Sequence, residues 1–184
     1  KIAVFISGRG SNLKNLIKYS KLKNSLIKVK LVISNKVNAK GLYFAKKYKI
    51  KYFIINYKNI KISDIQILKK LTIYKIELIC LAGFMRIISE NFIKKFNKPI
   101  LNIHPSLLPK YKGLNTHKKA LQNKEKISGA TVHLVSRKVD SGKIILQKKI
   151  KILKNDNIKT LEKKILKLEH GLYPKAIDRF LASL

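Results

Sequence analysis

The stretch KIAVFISGRGSNLKNLIKY, residues 1–19, is the part of the sequence that decides the fold. It opens with the apolar run Ile2–Ile6 and continues through a glycine-containing turn at residues 7–10. It closes with apolar residues at helical spacing, and we expect Ser11 and Asn12 to cap that helix. A buried strand, a tight turn and an amphipathic helix form the first repeat of a parallel sheet.

The same alternation continues along the chain. Apolar runs at 29–34, 51–55, 77–82 and 100–103 predict further strands, and helices are expected at 39–47 and from Ser63 and Asp64 onward. Strands at 131–136 and 143–149 precede a long helix that begins near Asp156 and that Pro174 kinks or restarts. The fold class is therefore α/β, with a mostly parallel, Rossmann-like sheet and helices on both faces. No linker composition interrupts residues 1–184, so we expect one domain.

The composition is strongly basic, yet it does not indicate a nucleic-acid-binding protein. The 184 residues carry a formal net charge of +33, and 38 of the 42 basic residues are lysine. Proteins that read bases rely on arginine, and these lysines are spread along the whole chain. We interpret the charge as a compositional bias.

Other features limit the class of protein further. The single cysteine, Cys80, excludes a disulfide framework and a cysteine-based zinc site. The longest apolar run, residues 78–84, is far short of the roughly 18 residues that span a bilayer. No secretory signal precedes the first strand, so a cytoplasmic location is expected.

The segment SGRGSN, residues 7–12, is the first candidate site. Glycines let the backbone turn sharply, and free amides at the start of the helix can hold a phosphate. The motif is neither a Walker A loop nor a dinucleotide fingerprint, because no Gly-Lys-Ser/Thr follows and Leu13 stands where a third glycine would be. A plain strand-to-helix turn is the alternative.

A second candidate combines Asn102, His104 and Asp140. Asn102 and His104 are two residues apart at the end of a predicted strand, so both side chains leave it on the same side. An amide beside an imidazole can stabilise an oxyanion and transfer a proton. Asp140, in the VDSG turn and one of only nine acids, could orient His104 and raise its pKa. A capping Asn, a structural His and a turn Asp are the alternatives.

Weaker candidates lie outside these two clusters. Met85 and Arg86 follow the fourth predicted strand, where ordinary packing is the alternative. Glu169 in the last helix could equally be a solvated salt-bridge partner. His117 and His133 are expected to cap or pack, and no histidine pair has the spacing of a metal site.

Taken together, these motifs resemble the phosphoribosylglycinamide formyltransferases, a branch of the formyltransferase superfamily. The matching segments are SGRGSNL from Ser7, AGFMRI from Ala82, LNIHPSLLPKYKG from Leu101, GATVHLVSRKVDSGKIILQ from Gly129 and EHGLYP from Glu169. The segment around Asn102 and His104 is shared across the superfamily, whereas SGRGSNL and EHGLYP point to this branch.

The resemblance implies a formyltransferase fold and a specific activity. A formyl group would pass from 10-formyltetrahydrofolate to the amine of 5-phosphoribosylglycinamide in de novo purine biosynthesis, without a metal. The phosphate-binding part would lie in the N-terminal half, and the folate-binding and catalytic part in the C-terminal half.

The resemblance also assigns roles to individual residues. His104 matches the proton donor, Asn102 the residue that contacts the formyl group, and Asp140 the residue that raises the histidine pKa. The other matches are to residues that bind the substrates: Gly10, Ser11 and Asn12 for the phosphate, Glu169 for the ribose, and Met85, Arg86, Ile87, Ile88 and Asn102 for the folate.

The sequence leaves two alternative functions open, and it departs from the family pattern in one region. Activity like that of methionyl-tRNA formyltransferase or formyltetrahydrofolate deformylase would use the same catalytic segment, and a basic nucleic-acid-binding protein on this fold is an alternative of another class. Small-molecule substrates are the expected partners. Family members carry an Arg after the third strand that helps to hold the folate tail, whereas this region offers only Lys58 and Lys61.

Overall fold

A computed structural model describes residues 1–184 and confirms the α/β class with a mostly parallel sheet. Seven strands lie in the order β3-β2-β1-β4-β5-β6-β7. The strands are β1 (Ile2–Ile6), β2 (Val29–Ser34), β3 (Lys51–Ile54), β4 (Leu78–Leu81), β5 (Ile100–His104), β6 (Ile127–Leu134) and β7 (Ile144–Lys151). The helices are α1 (Ser11–Tyr19), α2 (Leu42–Lys47), α3 (Ile60–Ile73), α4 (Glu90–Phe96), α5 (Thr116–Gln122) and α6 (Ile158–Leu181).

The chain divides into two compact units, Lys1–Leu101 and Asn102–Leu184. In the first unit, β1 pairs in parallel with β2 and with β4, and β2 pairs in parallel with β3. Every residue of β1 and β4 is buried, as expected for strands covered on both faces. In the second unit, β6 and β7 pair antiparallel. The expectation of a single domain stays a prediction.

The predicted starts of two helices are wrong. α1 is preceded by Gly10 in the left-handed conformation, with no capping side chain, so Ser11 is already helical. α3 begins at Ile60, because the side chain of Asn59 accepts a hydrogen bond from the backbone N–H of Ile62 at 3.2 Å. Ser63 is buried inside that helix, where its hydroxyl bonds to the carbonyl of Asn59.

The last helix begins close to its predicted start and continues through its proline. Asn157 and Thr160 form a capping box one residue beyond Asp156. Pro174 is buried within α6 and does not restart it. The structure also contains two short helices, α4 and α5, that the sequence pattern did not predict.

No helix combines the length and the hydropathy that crossing a membrane would require.

Candidate active site

Three predicted side chains meet in the second unit. His104 is the last residue of β5, one residue beyond the predicted end of that strand, and its Nδ1 lies 3.4 Å from Oδ2 of Asp140. Nδ2 of Asn102 lies 3.4 Å from Oδ1 of the same carboxylate. The imidazole and the carboxylate are 6% and 10% exposed. The structure therefore joins an amide, an imidazole and a carboxylate in one largely dehydrated cluster.

The other ring nitrogen of His104 is held by the backbone. Its Nε2–H donates to the carbonyl oxygen of Tyr111 at 2.8 Å, so Nδ1 is the nitrogen that faces Asp140. Burial lowers the pKa of His104 below its ordinary value, while the Tyr111 carbonyl and the Asp140 carboxylate oppose that effect. The predicted direction of the Asp140 effect is thus present, but burial outweighs it.

Asp140 is fixed from several sides. Its backbone is left-handed, with φ of 47°, and Oδ2 accepts the backbone N–H of Gly113 at 2.8 Å. Burial raises the pKa of the Asp140 carboxyl, but contacts with His133, Gly113 and His104 outweigh it and hold the pKa below its usual range. Asp140 therefore presents a charged carboxylate to the imidazole at neutral pH.

A fourth residue, His133 on β6, belongs to the same cluster although packing was its expected role. Its Nδ1 lies 2.8 Å from the carbonyl oxygen of Leu134, which places the ring proton there. Nε2 lies 3.2 Å from Nδ2 of Asn102 and 3.5 Å from Oδ1 of Asp140. The signal in the sequence was a histidine two residues after Thr131 on β6, the strand that neighbours β5.

Buried hydrogen bonds hold the loop that follows His104. The Oγ1 of Thr131 donates to the carbonyl of Ser106 at 2.7 Å and accepts the backbone N–H of Leu108 at 3.1 Å. Gln147 on β7 donates to the same hydroxyl and to the carbonyl of Leu108, both at 2.8 Å. Strands β6 and β7 therefore fix the backbone next to the imidazole.

In the first unit, the glycine turn is held by a close backbone contact. The amide of Gly41 donates to the carbonyl of Gly8 at 2.9 Å. Gly10 has φ of 72°, and a Cβ built on it would come within 2.4 Å of the Cα of Gly41. α1 starts directly after this turn, and the first amides of a helix have no carbonyl partners within the helix. Such a turn can accept an anion.

The same turn is tied to the segment that follows β4. Ser7 is 5% exposed, and its hydroxyl donates to Oδ1 of Asn35 and accepts the backbone N–H of Met85 at 2.7 Å. The backbone N–H of Ser7 donates to the carbonyl of Gly83 at 3.1 Å. Ser7 thus joins two segments that were each predicted to bind a substrate.

The predicted folate-binding residues after β4 differ in exposure. Met85 and Ile87 are 57% and 72% exposed, whereas Ile88 is buried. Arg86 is exposed, and its guanidinium lies 5.9 Å above the ring of Tyr57, which follows β3. Lys58 in that connection and Lys61 in the first turn of α3 are both exposed.

The remaining predicted residues lie on the helices of the second unit. Glu169 is only 6% exposed on α6, so it is not a solvated surface partner. His117 lies on α5, and its Nδ1 is buried without a hydrogen-bond partner. Burial lowers the pKa of the His117 imidazole, opposed by Glu162. No group of three or more His, Cys, Asp or Glu side chains is arranged to hold a metal ion.

Residues 1–177 match the sequence model of the formyl transferase family. Phosphoribosylglycinamide formyltransferase from Haemophilus influenzae is 41% identical over 183 residues, which cover 98% of this chain and 86% of that protein. The crystal structure of phosphoribosylglycinamide formyltransferase from Brucella melitensis matches this chain with 39% sequence identity and a TM-score of 0.93. That match covers 100% of this chain and 96% of the crystallised one.

A longer relative contains the same region as one part. The trifunctional purine biosynthetic protein adenosine-3 from Homo sapiens is 43% identical over 181 residues. That match covers 97% of this chain and 18% of the human protein. The chain therefore spans less than a fifth of the trifunctional relative.

Proposed function

The chain belongs to the formyl transferase family, as its motifs predicted, and on that basis we propose that it formylates the amine of 5-phosphoribosylglycinamide. The formyl donor is 10-formyltetrahydrofolate, and the reaction is a step of de novo purine biosynthesis. The relatives from Haemophilus influenzae and Brucella melitensis, which match nearly the whole chain, carry the name of this activity. The observation that carries the proposal is the meeting of Asn102, Asp140 and the buried His104 in one cluster.

Formyl transfer needs a proton to move between two nitrogens. Attack of the amine on the formyl carbon gives a tetrahedral intermediate with a cationic nitrogen and an oxyanion. The leaving folate nitrogen must gain a proton, and the attacking nitrogen must lose one. A single imidazole can do both, because after donating its proton to the folate nitrogen it is neutral and can accept the proton of the amine.

The surroundings of His104 suit this relay. Burial makes the imidazolium a stronger acid, while the Tyr111 carbonyl and Asp140 favour the protonated ring. Because Nε2–H is bonded to Tyr111, Nδ1 is the nitrogen that would exchange the proton. Burial lowers the pKa of His104 and the Asp140 charge opposes that effect, so the imidazole can both bind and release a proton during the reaction.

Asn102 would stabilise the oxyanion. Its Nδ2 makes a 3.2 Å contact to His133 and a longer 3.4 Å contact to Asp140. The longer contact is the weaker one, so the formyl oxygen would replace it as the acceptor of that N–H. His133 would keep the amide oriented while this exchange takes place.

The remaining predicted residues would bind the two substrates. Gly10, Ser11 and Asn12 would hold the phosphate of the ribonucleotide, and Glu169 would meet its ribose. Met85, Arg86, Ile87 and Ile88, together with Asn102, would contact the folate. The turn held by Gly41 supports the phosphate role, and the exposed Met85 and Ile87 leave apolar surface for a ligand.

The expected partners are small-molecule substrates, and the expected location is the cytoplasm. Both substrates are small anionic molecules, so no specific nucleic-acid or membrane partner is required. Cys80 is buried in β4, which fits a protein of the cytoplasm, where thiols stay reduced.

Formyl transfer by purified protein tests the proposal, with His104→Ala and His117→Gln as matched variants. We expect His104→Ala to lower kcat by about 10² or more while the protein stays folded. His117→Gln removes a buried imidazole outside the hydrogen-bonded cluster and should lower turnover far less than His104→Ala does. Equal activity of wild-type protein and His104→Ala would contradict the mechanism.

A further inference from the structure

The short segment of residues 111–113 contacts both members of the His104–Asp140 pair. The carbonyl oxygen of Tyr111 accepts from Nε2 of His104 at 2.8 Å. Two residues later, the backbone N–H of Gly113 donates to Oδ2 of Asp140 at 2.8 Å. The position of this segment therefore determines where the imidazole and the carboxylate lie relative to each other.

The backbone of Tyr111 adopts a conformation that must be held by its surroundings. Its φ is 56°, in the left-handed region that residues with a Cβ rarely adopt. On its inner side, Oγ of Ser106 donates to the carbonyl of Lys110 at 2.6 Å. That bond closes the turn, and the same hydroxyl makes only a longer, weaker contact of 3.4 Å to the Tyr111 carbonyl oxygen.

The side chain of Tyr111 supplies shorter contacts outside the cluster. Its hydroxyl donates to Oε1 of Glu125 at 2.8 Å and accepts from Nδ2 of Asn123 at 2.9 Å. Nζ of Lys110 lies 2.8 Å from the same oxygen of Glu125. Hydrogen bonds from Lys110 and Tyr111 lower the pKa of Glu125, so its carboxylate is charged at neutral pH. Glu125 precedes β6 by two residues, so it joins the segment to the sheet.

We propose that Tyr111 and Glu125 are positioning residues for the formyl transfer reaction. The hydroxyl-to-carboxylate bond fixes residues 111–113, and that segment orients His104 through the Tyr111 carbonyl and Asp140 through the Gly113 amide. The proposal rests on the proposed function for its effect on turnover. Its effect on the His104 imidazole is independent of any substrate.

The ionisation of His104 gives a readout that a purely structural role would not change. The charged and titratable groups that act on this ring are Asp140, His133 on β6, and Lys119 and His117 on α5. Of the backbone groups, the Tyr111 carbonyl favours the protonated ring. If the carbonyl moves away, we expect His104 to titrate at lower pH while these charges stay in place.

The test is Tyr111→Phe, which keeps the ring and removes the hydroxyl. We expect kcat to fall roughly tenfold, with the KM values of both substrates unchanged within about twofold, because only the catalytic pair is displaced. NMR titration should show the His104 resonance moving to lower pH. Tyr43→Phe, which removes an exposed hydroxyl on α2, is the matched control and should change neither measurement.

A second pair of variants separates the hydrogen bond from the ion pair. Glu125→Gln keeps an oxygen that can accept from the Tyr111 hydroxyl, and loses only an exposed ion pair with Lys110. It should keep most of the turnover and the wild-type titration of His104. Glu125→Ala should behave like Tyr111→Phe.

The outcomes are distinct for the two proposals. Wild-type turnover and an unchanged His104 titration in Tyr111→Phe and Glu125→Ala would overturn the positioning role. If the wild-type protein transfers no formyl group, the proposed function is wrong. The His104 titration in Tyr111→Phe would still show whether the Tyr111–Glu125 hydrogen bond orients the imidazole.

Discussion

Gly10 and Gly41 touch backbone to backbone: a Cβ on Gly10 would lie 2.4 Å from the Cα of Gly41. A Cβ on Gly41 would in turn lie 2.9 Å from the Cα of Gly10 and 2.7 Å from Cδ1 of Ile6. Only glycine at both positions lets the turn after β1 rest against the start of α2. The proposed phosphate site therefore depends on a residue that lies 31 positions after Gly10 in the sequence.

We expect Gly41→Ala to distort this turn. The added methyl group should lower the free energy of unfolding by about 1–3 kcal/mol and raise the KM for the ribonucleotide more than that for the folate. Gly171→Ala is the control, because Gly171 is an exposed helical residue with no neighbour near its built Cβ. That change should stabilise α6 by about 0.5–1 kcal/mol. Wild-type stability and KM in Gly41→Ala would contradict the contact.

Removal of the Ser7 hydroxyl should weaken the link between the turn and the segment after β4. Ser7→Ala leaves the N–H of Met85 and the amide oxygen of Asn35 without this partner. We expect a loss of about 1–3 kcal/mol in the free energy of unfolding, measured by denaturant titration, together with weaker binding of both substrates. Ser136→Ala, which breaks only an exposed local bond to the carbonyl of Lys138, should cost far less. Similar losses in the two variants would refute the role of Ser7.

The charge of Asp140 should determine how readily His104 holds its proton. Asp140→Asn removes a carboxylate that favours the imidazolium, so the pKa of His104 should fall further below its ordinary value. Since the ring must be protonated to act as the donor, we expect turnover to decline by about 10²-fold. As the pH rises, the remaining activity should be lost at a lower pH than in the wild type. NMR titration and the pH dependence of kcat measure the two effects. An unchanged His104 titration would show that the pair is not electrostatically coupled.

His117 should make stability depend on pH. Burial lowers its pKa below the ordinary 6.5, so the unfolded chain binds the proton more readily than the folded protein does. The free energy of unfolding should therefore be highest above pH 6.5 and decrease as the pH falls through that value. His117→Gln should flatten this dependence between about pH 7 and 5 in urea titrations. An equally steep dependence in the variant would mean that other groups account for it.

The sequence predicted those parts of the fold that local patterns specify. The apolar runs gave β1 and β2 with correct bounds, because an unbroken buried strand has a clear signature. α4 and α5 escaped prediction because each buries very little: Phe92 and Phe96 in one, and Thr116 and Ala120 in the other. Such short helices are stabilised by tertiary packing, which periodicity does not report.

The residues of the candidate site could be predicted where their side chains have recognisable chemistry. Strand parity brought Asn102 and His104 together, and the scarcity of acids drew attention to Asp140. Tyr111 had no such signal, because it contacts His104 through a backbone carbonyl. Gly41 was equally hidden, since its role depends on a contact that forms only in the folded chain.

The most direct test of the central claim is a competition among formyl acceptors. Purified protein receives 10-formyltetrahydrofolate with a labelled formyl group, together with 5-phosphoribosylglycinamide and methionyl-tRNA at equal concentrations. The label in each product, and in formate released by water, is then measured over time. We predict that nearly all the enzyme-dependent label enters formylated 5-phosphoribosylglycinamide and that His104→Ala abolishes this transfer. Label appearing mainly in formylmethionyl-tRNA or in formate would contradict the proposed function.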